Sequence, residues 1–332
     1  MSAPVQPVVL PLSEIEPLVD PLELIEVIER GFVLYSQGRV TVPPVGFLNF
    51  DDPPGDVHIK YGYVPGDDVY VLKVASGFYH NPSLGLPAGD GLILVFSQTT
   101  GALELVLLDR CWLTDMRTAA AGAVAAKHLA PDSVECIGIV GTGVQARMQL
   151  EMLRHVVDCS RCLVWGRDSA KAAVMVEEMR ADDGIQEWGL EVIVAAALEN
   201  LVPQCDLIVT ATSARAPLFD ADLVQLGTHV TAMGSDDHGK QELDAALLRR
   251  ADVVVADSRS QCVDHGECHY AVQGGLIEED QIVELGQVID HSAPGRAGDH
   301  QITVADLTGV AIQDIQIAKI VREALGLQRA VV

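Results

Sequence analysis

Hydrophobic positions follow two different patterns along this chain. Between Ser133 and about Asp257, short runs rich in β-branched residues alternate with segments of helical periodicity. Strands that alternate with helices form parallel sheets covered by helices on both faces. This pattern predicts a doubly wound α/β domain, with strands at Ile137–Val140, Leu163–Trp165, Glu191–Val194, Asp206–Thr210, His229–Met233 and Val253–Ala256.

The pattern before residue 131 is different. Pro21–Ser36 has helical periodicity, and its proline stands at the first turn, where proline is tolerated. The alanine-rich segment Leu113–Ala130 predicts a helix that leads into the α/β domain. Between these helices, apolar runs separated by turn sequences predict a mostly antiparallel sheet, with strands at Val57–Tyr63, Val69–Ser76, Gly91–Ser97 and Leu103–Asp109.

The end of the chain predicts a turn and then an amphipathic helix, between Asp306 and Leu325. Such an apolar helix needs a surface against which to bury its face, and we expect that surface in the N-terminal domain. The predicted domains are therefore residues 1–130 with 310–332, and residues 131–309.

A glycine motif follows the first predicted strand of the α/β domain. Gly141-x-Gly143-x-x-Ala146 stands between an apolar strand and a helix-period run. Gly141 permits a tight turn, Gly143 lets backbone N–H groups approach a pyrophosphate, and Ala146 lets the helix pack on the strand. The alternative is a glycine turn without a ligand. The context favours a Rossmann domain that binds NAD(P).

Charge and cysteine content limit the functional classes. The 332 residues carry a formal net charge of −25, which disfavours binding to nucleic acids or anionic membranes. We see no secretory signal and no membrane-spanning run, and seven cysteines fit a reducing compartment, so we expect a cytoplasmic protein. Cys159 and Cys162 have CxxC spacing, and Cys262 and Cys268 lie near histidines, but we expect structural thiols and no metal site.

Six blocks of the sequence, in order, resemble the ornithine cyclodeaminase/mu-crystallin family. They begin at Lys73-Val-Ala-Ser-Gly, Asn81-Pro, Leu113-Thr-Asp-Met-Arg-Thr, Gly141-Thr-Gly-Val-Gln-Ala, Met233-Gly-Ser-Asp-Asp-His-Gly-Lys-Gln-Glu and Ile302-Thr-Val-Ala-Asp-Leu-Thr-Gly-Val-Ala-Ile-Gln-Asp. The resemblance implies a dimerising sheet domain, completed by the C-terminal helix, and a Rossmann domain. It also implies hydride transfer at the α-carbon of an amino or imino acid.

Lys73 and Arg117 match the family positions that hold the α-carboxylate of the substrate. Either could instead form a structural ion pair. A further family arginine is missing, since residues 41–47 contain no basic side chain. His58 or Lys60 are candidates to replace it, and this departure leaves the identity of the substrate open.

Asp236 matches the catalytic aspartate of the cyclodeaminases, which resembles a general base. It follows a predicted strand at its carboxyl end, where doubly wound sheets bind ligands. The alternative is an aspartate that forms a turn. We expect Lys240 to order this loop beside the cofactor, together with Glu242.

The end of the second strand bears on the choice of cofactor. Gly166 stands where NAD enzymes carry an acidic residue, and Arg167 is suited to pair with a 2′-phosphate, although Asp168 argues partly against it. We expect NADP slightly before NAD. Thr308 is expected near the substrate, and the other expected nucleotide contacts are Arg117, Thr118, Val144, Gln145, Thr210, Thr212, Met233 and Leu307.

The leading functional hypothesis is a cyclodeaminase of a basic amino acid such as ornithine or lysine, acting as a homodimer. The second is an NAD(P)H-dependent ketimine or imino-acid reductase, or an alanine-type dehydrogenase. The third is a mu-crystallin-like protein that binds nucleotide. The combination of Lys73, Arg117 and Asp236 favours an enzyme.

Overall fold

The computed structural model describes residues 6–78 and 80–327. These residues form two compact units. Unit 1 contains the described residues up to Arg117 and from Val310 onward, and unit 2 is Thr118–Gly309. The first boundary between the units lies within a helix, and the chain returns to unit 1 at Val310.

The strands belong to two sheets. In chain order they are β1 (Val8–Pro11), β2 (Gly46–Asp51), β3 (Pro54–Tyr63), β4 (Val69–Phe78), β5 (Gly89–Ser97), β6 (Leu103–Leu108), β7 (Ile137–Val140), β8 (Arg161–Trp165), β9 (Glu191–Val194), β10 (Leu207–Thr210), β11 (His229–Ala232), β12 (Val253–Ala256), β13 (Ile282–Glu284) and β14 (Thr303–Asp306).

The α-helices vary from one turn to eighteen residues. In chain order they are α1 (Leu12–Ile15), α2 (Pro21–Ser36), α3 (Trp112–Leu129), α4 (Val144–Leu153), α5 (Ser169–Ala181), α6 (Asp183–Trp188), α7 (Leu198–Leu201), α8 (Ala245–Arg250), α9 (Arg259–His265), α10 (Glu267–Gln273), α11 (Leu285–Ile289) and α12 (Ala311–Ala324). Short 3₁₀ turns stand at Glu16–Leu18, Asn81–Leu84, Val202–Gln204, Ala221–Leu223 and Glu279–Gln281.

Unit 1 is a six-stranded sheet in the order β1-β6-β5-β4-β3-β2. Its strands pair antiparallel, except that β1 lies parallel to β6. Along β4, Val69, Val71 and Lys73 are buried, because alternate residues of a strand face the same side. The terminal helix α12 packs on α2, β3 and β4, as its amphipathic sequence predicts.

Unit 2 is a parallel eight-stranded sheet in the order β13-β12-β14-β11-β10-β7-β8-β9. Strands β7, β10, β11 and β14 are buried at all four of their positions, which is typical of a parallel sheet covered on both faces. This is the doubly wound Rossmann architecture that the alternation of strands and helices predicts. The carboxyl ends of β7, β10 and β11 lie next to one another, because these strands are neighbours.

The described residues contain no helix that is both long enough and apolar enough to cross a membrane.

Candidate functional site

The loop between β7 and α4 has the geometry of a dinucleotide cradle. Gly141 has a φ of 136°, and a Cβ atom there would come within 2.4 Å of the Ala211 carbonyl oxygen, so only glycine fits. At Gly143 a Cβ atom would meet no atom within 4 Å, which leaves the backbone open to a ligand. The first turn of α4, with Val144 and Gln145, then presents backbone N–H groups as an anion site.

A cleft of about 320 Å³ extends from this loop along the ends of the neighbouring strands. Its dimensions and backbone donors fit a nucleotide. Its walls are Gly141, Thr142, Gly143, Trp165, Gly166, Arg167, Asp168, Lys171, Ala211, Thr212, Ser213, Ala214 and Leu218.

The buried carboxylate of Glu242 holds the loops after β10 and β11 together. It accepts hydrogen bonds from the hydroxyls of Thr210 and Thr212, both at 2.7 Å, and from the backbone N–H groups of Thr212 at 2.6 Å and Gly234 at 2.8 Å. Burial raises the pKa of Glu242, while these hydrogen bonds act in the opposite direction. Thr210 and Thr212 therefore use their hydroxyls inside the protein, and Thr212 also lines the cleft.

Two exposed basic side chains stand on the wall of the cleft. Arg167 follows β8, and Lys171 lies in the first turn of α5. The side chain of Asp168 caps α5, where it accepts hydrogen bonds from the N–H groups of Ala170 and Lys171. A Cβ atom on Gly166 would lie only 2.4 Å from Cγ2 of Thr142. Packing thus explains the glycine, and the absence of a carboxylate at this position is weaker evidence on the cofactor than the sequence suggests.

Asp236 lies in the Asp236 loop, which we define as residues 234–240, directly after β11. Its carboxylate is half exposed and forms an ion pair of 2.5 Å with the Nζ atom of Lys240. The Ser235 hydroxyl donates to the Lys240 carbonyl oxygen at 2.8 Å and so closes the loop on itself. The carboxylate of Asp236 is thus accessible from solvent and has a cation beside it.

The segment after β14 is fixed by a second buried carboxylate, that of Asp257. It accepts hydrogen bonds from the backbone N–H groups of Thr308 at 3.2 Å and Gly309 at 2.6 Å, and from the Thr308 hydroxyl at 3.1 Å. Leu307 and Thr308 are both buried, as is Met233 after β11. These three expected contact residues therefore present little side-chain surface in the described chain.

Two further carboxyl groups are buried in unit 2 near these segments. Burial raises the pKa of Asp306 to about 7 and that of Glu267 to about 8. Glu267 accepts hydrogen bonds from the backbone N–H groups of Glu242 and Leu243, at 2.7 and 3.0 Å. Glu267 thus holds the backbone of Glu242, whose carboxylate fixes the loops beside the cleft.

Unit 1 holds a separate cluster of buried charges. The Nζ atom of Lys73 and the Nε atom of Arg117 lie 3.0 and 3.2 Å from Oδ1 of Asp314. All three side chains are at least 95% buried, since their exposed fractions are 3%, 5% and 2%. The Arg117 guanidinium also donates to Oε1 of Gln313.

Burial lowers the pKa of Lys73, and the nearby Asp314 opposes this shift. For Asp314, burial acts to raise the pKa, but Lys73, Arg117 and Lys60 together outweigh it and hold the pKa below its usual value. The carboxylate is therefore ionised. Lys73 and Arg117 are buried beside it, and the buried carboxyl group of Asp109 also interacts with Lys73. Buried basic groups of this kind are able to bind a further anion.

Lys60 belongs to the same cluster, whereas His58 lies farther along β3. Lys60 pairs directly with Lys73 across β3 and β4, so both side chains stand on the same face of the sheet. His58 is on this face as well, but its Nε2 atom lies 3.6 Å from Oδ1 of Asp56 and its ring packs edge-on against Phe47. The geometry favours Lys60 over His58 as the replacement for the missing arginine.

An unusual turn sets the position of Arg117. Arg110 and Cys111 both have positive φ angles, 54° and 70°, which non-glycine residues rarely adopt. The carboxylate of Asp109 accepts a hydrogen bond from the N–H of Leu113 and so starts α3, and burial raises the pKa of Asp109 to about 6. Arg117 follows one turn later on α3. The carbonyl oxygen of the next residue, Thr118, accepts a hydrogen bond from the side-chain amide of Gln149 at 3.1 Å.

The structure thus groups the expected residues into two sets, one in each unit. Lys60, Lys73 and Arg117 come together in unit 1. Five of the expected nucleotide contacts line the cleft of unit 2, namely Gly141, Gly143, Gly166, Arg167 and Thr212. Asp314 was not expected to have a role, although a carboxylate within an apolar helix is a recognisable signal. Lys171 was missed as well, and its position one turn after Arg167 was the available signal.

Comparison with known proteins agrees with this geometry. Residues 5–328 match the ornithine cyclodeaminase/mu-crystallin family. The chain belongs to this family. It is 40% identical to an uncharacterized cyclodeaminase of Sinorhizobium fredii, over 96% of this chain and 93% of that one.

Two solved structures of the family have the same fold. An archaeal alanine dehydrogenase dimer with bound NAD is 34% identical, with a TM-score of 0.87, over 96% of this chain and 95% of that one. The Δ1-pyrroline-2-carboxylate reductase of Thermococcus litoralis, in complex with NADH and L-proline, is 28% identical, with a TM-score of 0.88, over 96% of this chain and 97% of that one. The protein is therefore an enzyme of the cyclodeaminase or NAD(P)-dependent imino-acid oxidoreductase type.

Proposed function

We propose that this enzyme exchanges hydride between bound NAD(P) and the α-carbon of an amino or imino acid, and that its net reaction is the cyclodeamination of a basic amino acid. The observation that carries the proposal is the group of basic side chains at the carboxylate of Asp314, of which Lys73 and Arg117 are buried and Lys60 is partly buried. Basic side chains outnumber carboxylates there, and this cluster suits a substrate α-carboxylate.

The cleft of unit 2 would hold the nucleotide. Gly141, Gly143 and the first turn of α4 would bind its pyrophosphate, because their backbone is open to a ligand and the helix N-terminus attracts anions. Bound NAD(P) would supply a hydride acceptor and donor. Glu242 keeps the two loops beside the cleft in place through its four hydrogen bonds.

Lys73 and Arg117 hold the substrate carboxylate and so fix the position of the α-carbon. Arg117 offers a planar fork of donors and Lys73 a compact charge, so the two together define one orientation. Asp314 acts as a positioning residue, because its carboxylate keeps both cations directed to one point. Thr308 is the expected substrate contact in unit 2.

Asp236 serves as the acid/base residue. Its ionised carboxylate takes a proton from the substrate's amine, and Lys240 stabilises the ionised form. In cyclodeamination the α-amine is first oxidised to an imine, the distal amine then adds to the imine carbon, and ammonia leaves. Loss of ammonia leaves a cyclic imine, and return of the same hydride reduces it to a cyclic secondary amino acid, an imino acid in the older sense, so the nucleotide is not consumed.

Substrate charge favours a basic amino acid. The protein carries a net charge of −25, which attracts a substrate with a net positive charge and repels a dianion. A second candidate is net reduction of an imino acid, or alanine-type dehydrogenation. It is favoured by the likeness to the archaeal alanine dehydrogenase and the Thermococcus litoralis reductase.

The cofactor preference proposed here is NADP slightly before NAD. Arg167 and Lys171 give the cleft two exposed cations near the end of β8, which suits a 2′-phosphate. Asp168 does not oppose this assignment strongly, because its carboxylate is engaged at the start of α5.

We also propose that the enzyme is a homodimer that pairs through the outer face of the unit 1 sheet. Large apolar side chains are exposed on this face of β2 and β3, including Leu48 at 52%, Tyr61 at 39% and Tyr63 at 37%. Contiguous exposed apolar surface of this kind marks an interaction site. The archaeal alanine dehydrogenase, which is 34% identical, is a dimer.

Replacing Lys73 by Met should lower kcat/KM by about 100-fold, because a charge-assisted contact to the substrate carboxylate is lost. Nucleotide affinity should stay unchanged, which also shows that the variant is folded. Lys319→Met is the matched control, since Lys319 is a paired lysine of α12 outside the cluster. Equal kinetics for both variants would exclude Lys73 from the substrate site.

Replacing Arg167 by Ala should weaken NADP binding about 10-fold and NAD binding far less, in fluorescence titrations. Lys171→Ala should act in the same direction with a smaller effect. Arg249→Ala, at an exposed arginine outside the cleft, is the control. Equal losses for the two nucleotides would mean that Arg167 does not contact the 2′ position.

The net reaction can be tested with a panel of amino acids and a catalytic amount of nucleotide. Ammonia release from ornithine or lysine without net change in nucleotide absorbance is expected. Asp236→Asn should reduce this turnover by about 10²–10⁴-fold, because an amide does not accept the proton, while Asp237→Asn should be much milder. Net oxidation or reduction of the nucleotide would replace cyclodeamination by the dehydrogenase or reductase reaction. Nucleotide binding without any turnover would favour the mu-crystallin-like alternative.

The mass in solution, measured by light scattering, should be about twice the 35.5 kDa of one chain. Tyr63→Glu should shift the protein towards monomer, since it places a charge in the apolar face. Leu226→Glu, at a leucine of unit 2 that is 71% exposed, should leave the mass unchanged. A monomeric wild-type protein would refute the dimer.

A further inference from the structure

Three potential metal ligands lie together on the surface of unit 2, outside the residues to which a role has been given above. They are His238 in the Asp236 loop, and Asp264 and His265 in the last turn of α9. The Nε2 atom of His238 and the Nδ1 atom of His265 lie 3.5 and 3.2 Å from the same oxygen of Asp264, Oδ2. All three ligand atoms are within 4.8 Å of one another.

These distances approach those of a metal site. Bonds of about 2.0–2.2 Å from zinc to nitrogen and oxygen put the ligand atoms of a tetrahedral site about 3.3–3.5 Å apart. The two contacts to Asp264 already have this length. Small rotations of the two imidazole rings, whose centroids are 5.5 Å apart, bring the nitrogens closer. Two imidazoles and one carboxylate are a common ligand set for Zn²⁺ and related ions.

The exposed fractions of the three ligand side chains suit an ion that can exchange with solvent. The side chains of His238 and Asp264 are 69% and 66% exposed, whereas that of His265 is only 15% exposed and so provides a fixed point. The exposed side leaves the fourth coordination position to water. The acidic surface of the protein attracts cations to such a site.

We propose that His238, Asp264 and His265 bind a divalent transition-metal ion of the Zn²⁺ class, and that the ion clamps the Asp236 loop to α9. Ser235 and Asp236 contact Lys240 within the loop, and the backbone of Gly234 is bound by Glu242. A metal bond from His238 to α9 adds a further link between the loop and the body of unit 2. The thiols near His265 in the sequence, Cys262 and Cys268, are fully buried, and the ligands come from elsewhere.

Metal binding is tested on the whole, reduced protein after treatment with a chelator. Zn²⁺ is titrated against a chromophoric chelator, and one ion per chain is expected. His238→Ala and His265→Ala should each weaken this binding at least about 10-fold, since each removes a direct ligand. His300→Ala, at an exposed histidine of the same unit, should bind like the wild type. Equal affinity in all four proteins, or no binding by the wild type, would overturn the site.

X-ray absorption at the zinc edge then identifies the ligands. Two imidazole nitrogens with oxygen donors are expected. Sulfur donors would assign the ion to cysteine thiols and refute the proposal. The thermal midpoint measured without zinc shows whether each histidine variant is folded, and only the wild type and His300→Ala should gain stability when zinc is added.

The clamp is tested by hydrogen exchange, which does not depend on the reaction catalysed. Zinc should slow the exchange of backbone amides in residues 234–240 of the wild type and leave His238→Ala unchanged. Unaltered exchange in the wild-type loop, at saturating zinc, would refute the clamp. Slowed exchange in the His238→Ala loop would refute it equally.

Discussion

The buried carboxylate of Asp314 is the interaction on which unit 1 depends. It lies on α12, at the end of the chain, and contacts Lys73 of β4 and Arg117 of α3. Two cations at fully buried positions are very costly without an anion, so α12 has to return to this sheet for the fold to form. The same carboxylate neutralises only part of the positive charge. The arrangement therefore supports both the fold and the binding of a further anion.

Unit 2 uses buried carboxylates in a comparable way, but to hold backbone rather than cations. Glu242 connects the loops after β10 and β11, Asp257 fixes the segment after β14, and Glu267 supports Glu242 through two backbone N–H groups. Loops at the carboxyl ends of parallel strands have few backbone partners of their own. A carboxylate with several acceptor sites supplies those partners and makes the edge of the cleft rigid.

The sequence predicted those parts of the fold that depend on neighbouring residues, such as a helix start or a tight turn. The bounds of α2 are those expected, because Pro21 starts the helix in the structure as the periodicity indicates. Gly141 has the positive φ angle that the tight turn requires. Strands β1, β2, β13 and β14 were not predicted. The place of β14 between β11 and β12 depends on pairing with strands that are distant in the sequence, which no local pattern shows.

The site was predictable only in part, for the same reason. The motifs indicated Lys73 and Arg117, but the contact of Arg117 with Asp314 spans almost 200 positions of the chain and that of Lys73 spans more, so neither leaves a periodic signal. Gly166 is a case in which a local interpretation was incomplete. Its position suggested cofactor choice, whereas the contact that a Cβ atom would make with Thr142 gives a steric reason for glycine.

In an acidic enzyme for which a carboxylate substrate is proposed, the net surface charge and the basic side chains of the site act on the substrate at different distances. At physiological ionic strength the surface charge is screened over about 8 Å, so the −25 net charge acts on a substrate mainly as it approaches. Within unit 1, Lys73 and Arg117 are buried and act at short range, where screening is weak. A substrate with two amines and one carboxylate satisfies both conditions, because the surface attracts its net charge and the proposed site suits its anionic end. A dicarboxylate satisfies only the second condition, and for this reason the charge distribution favours a basic amino acid.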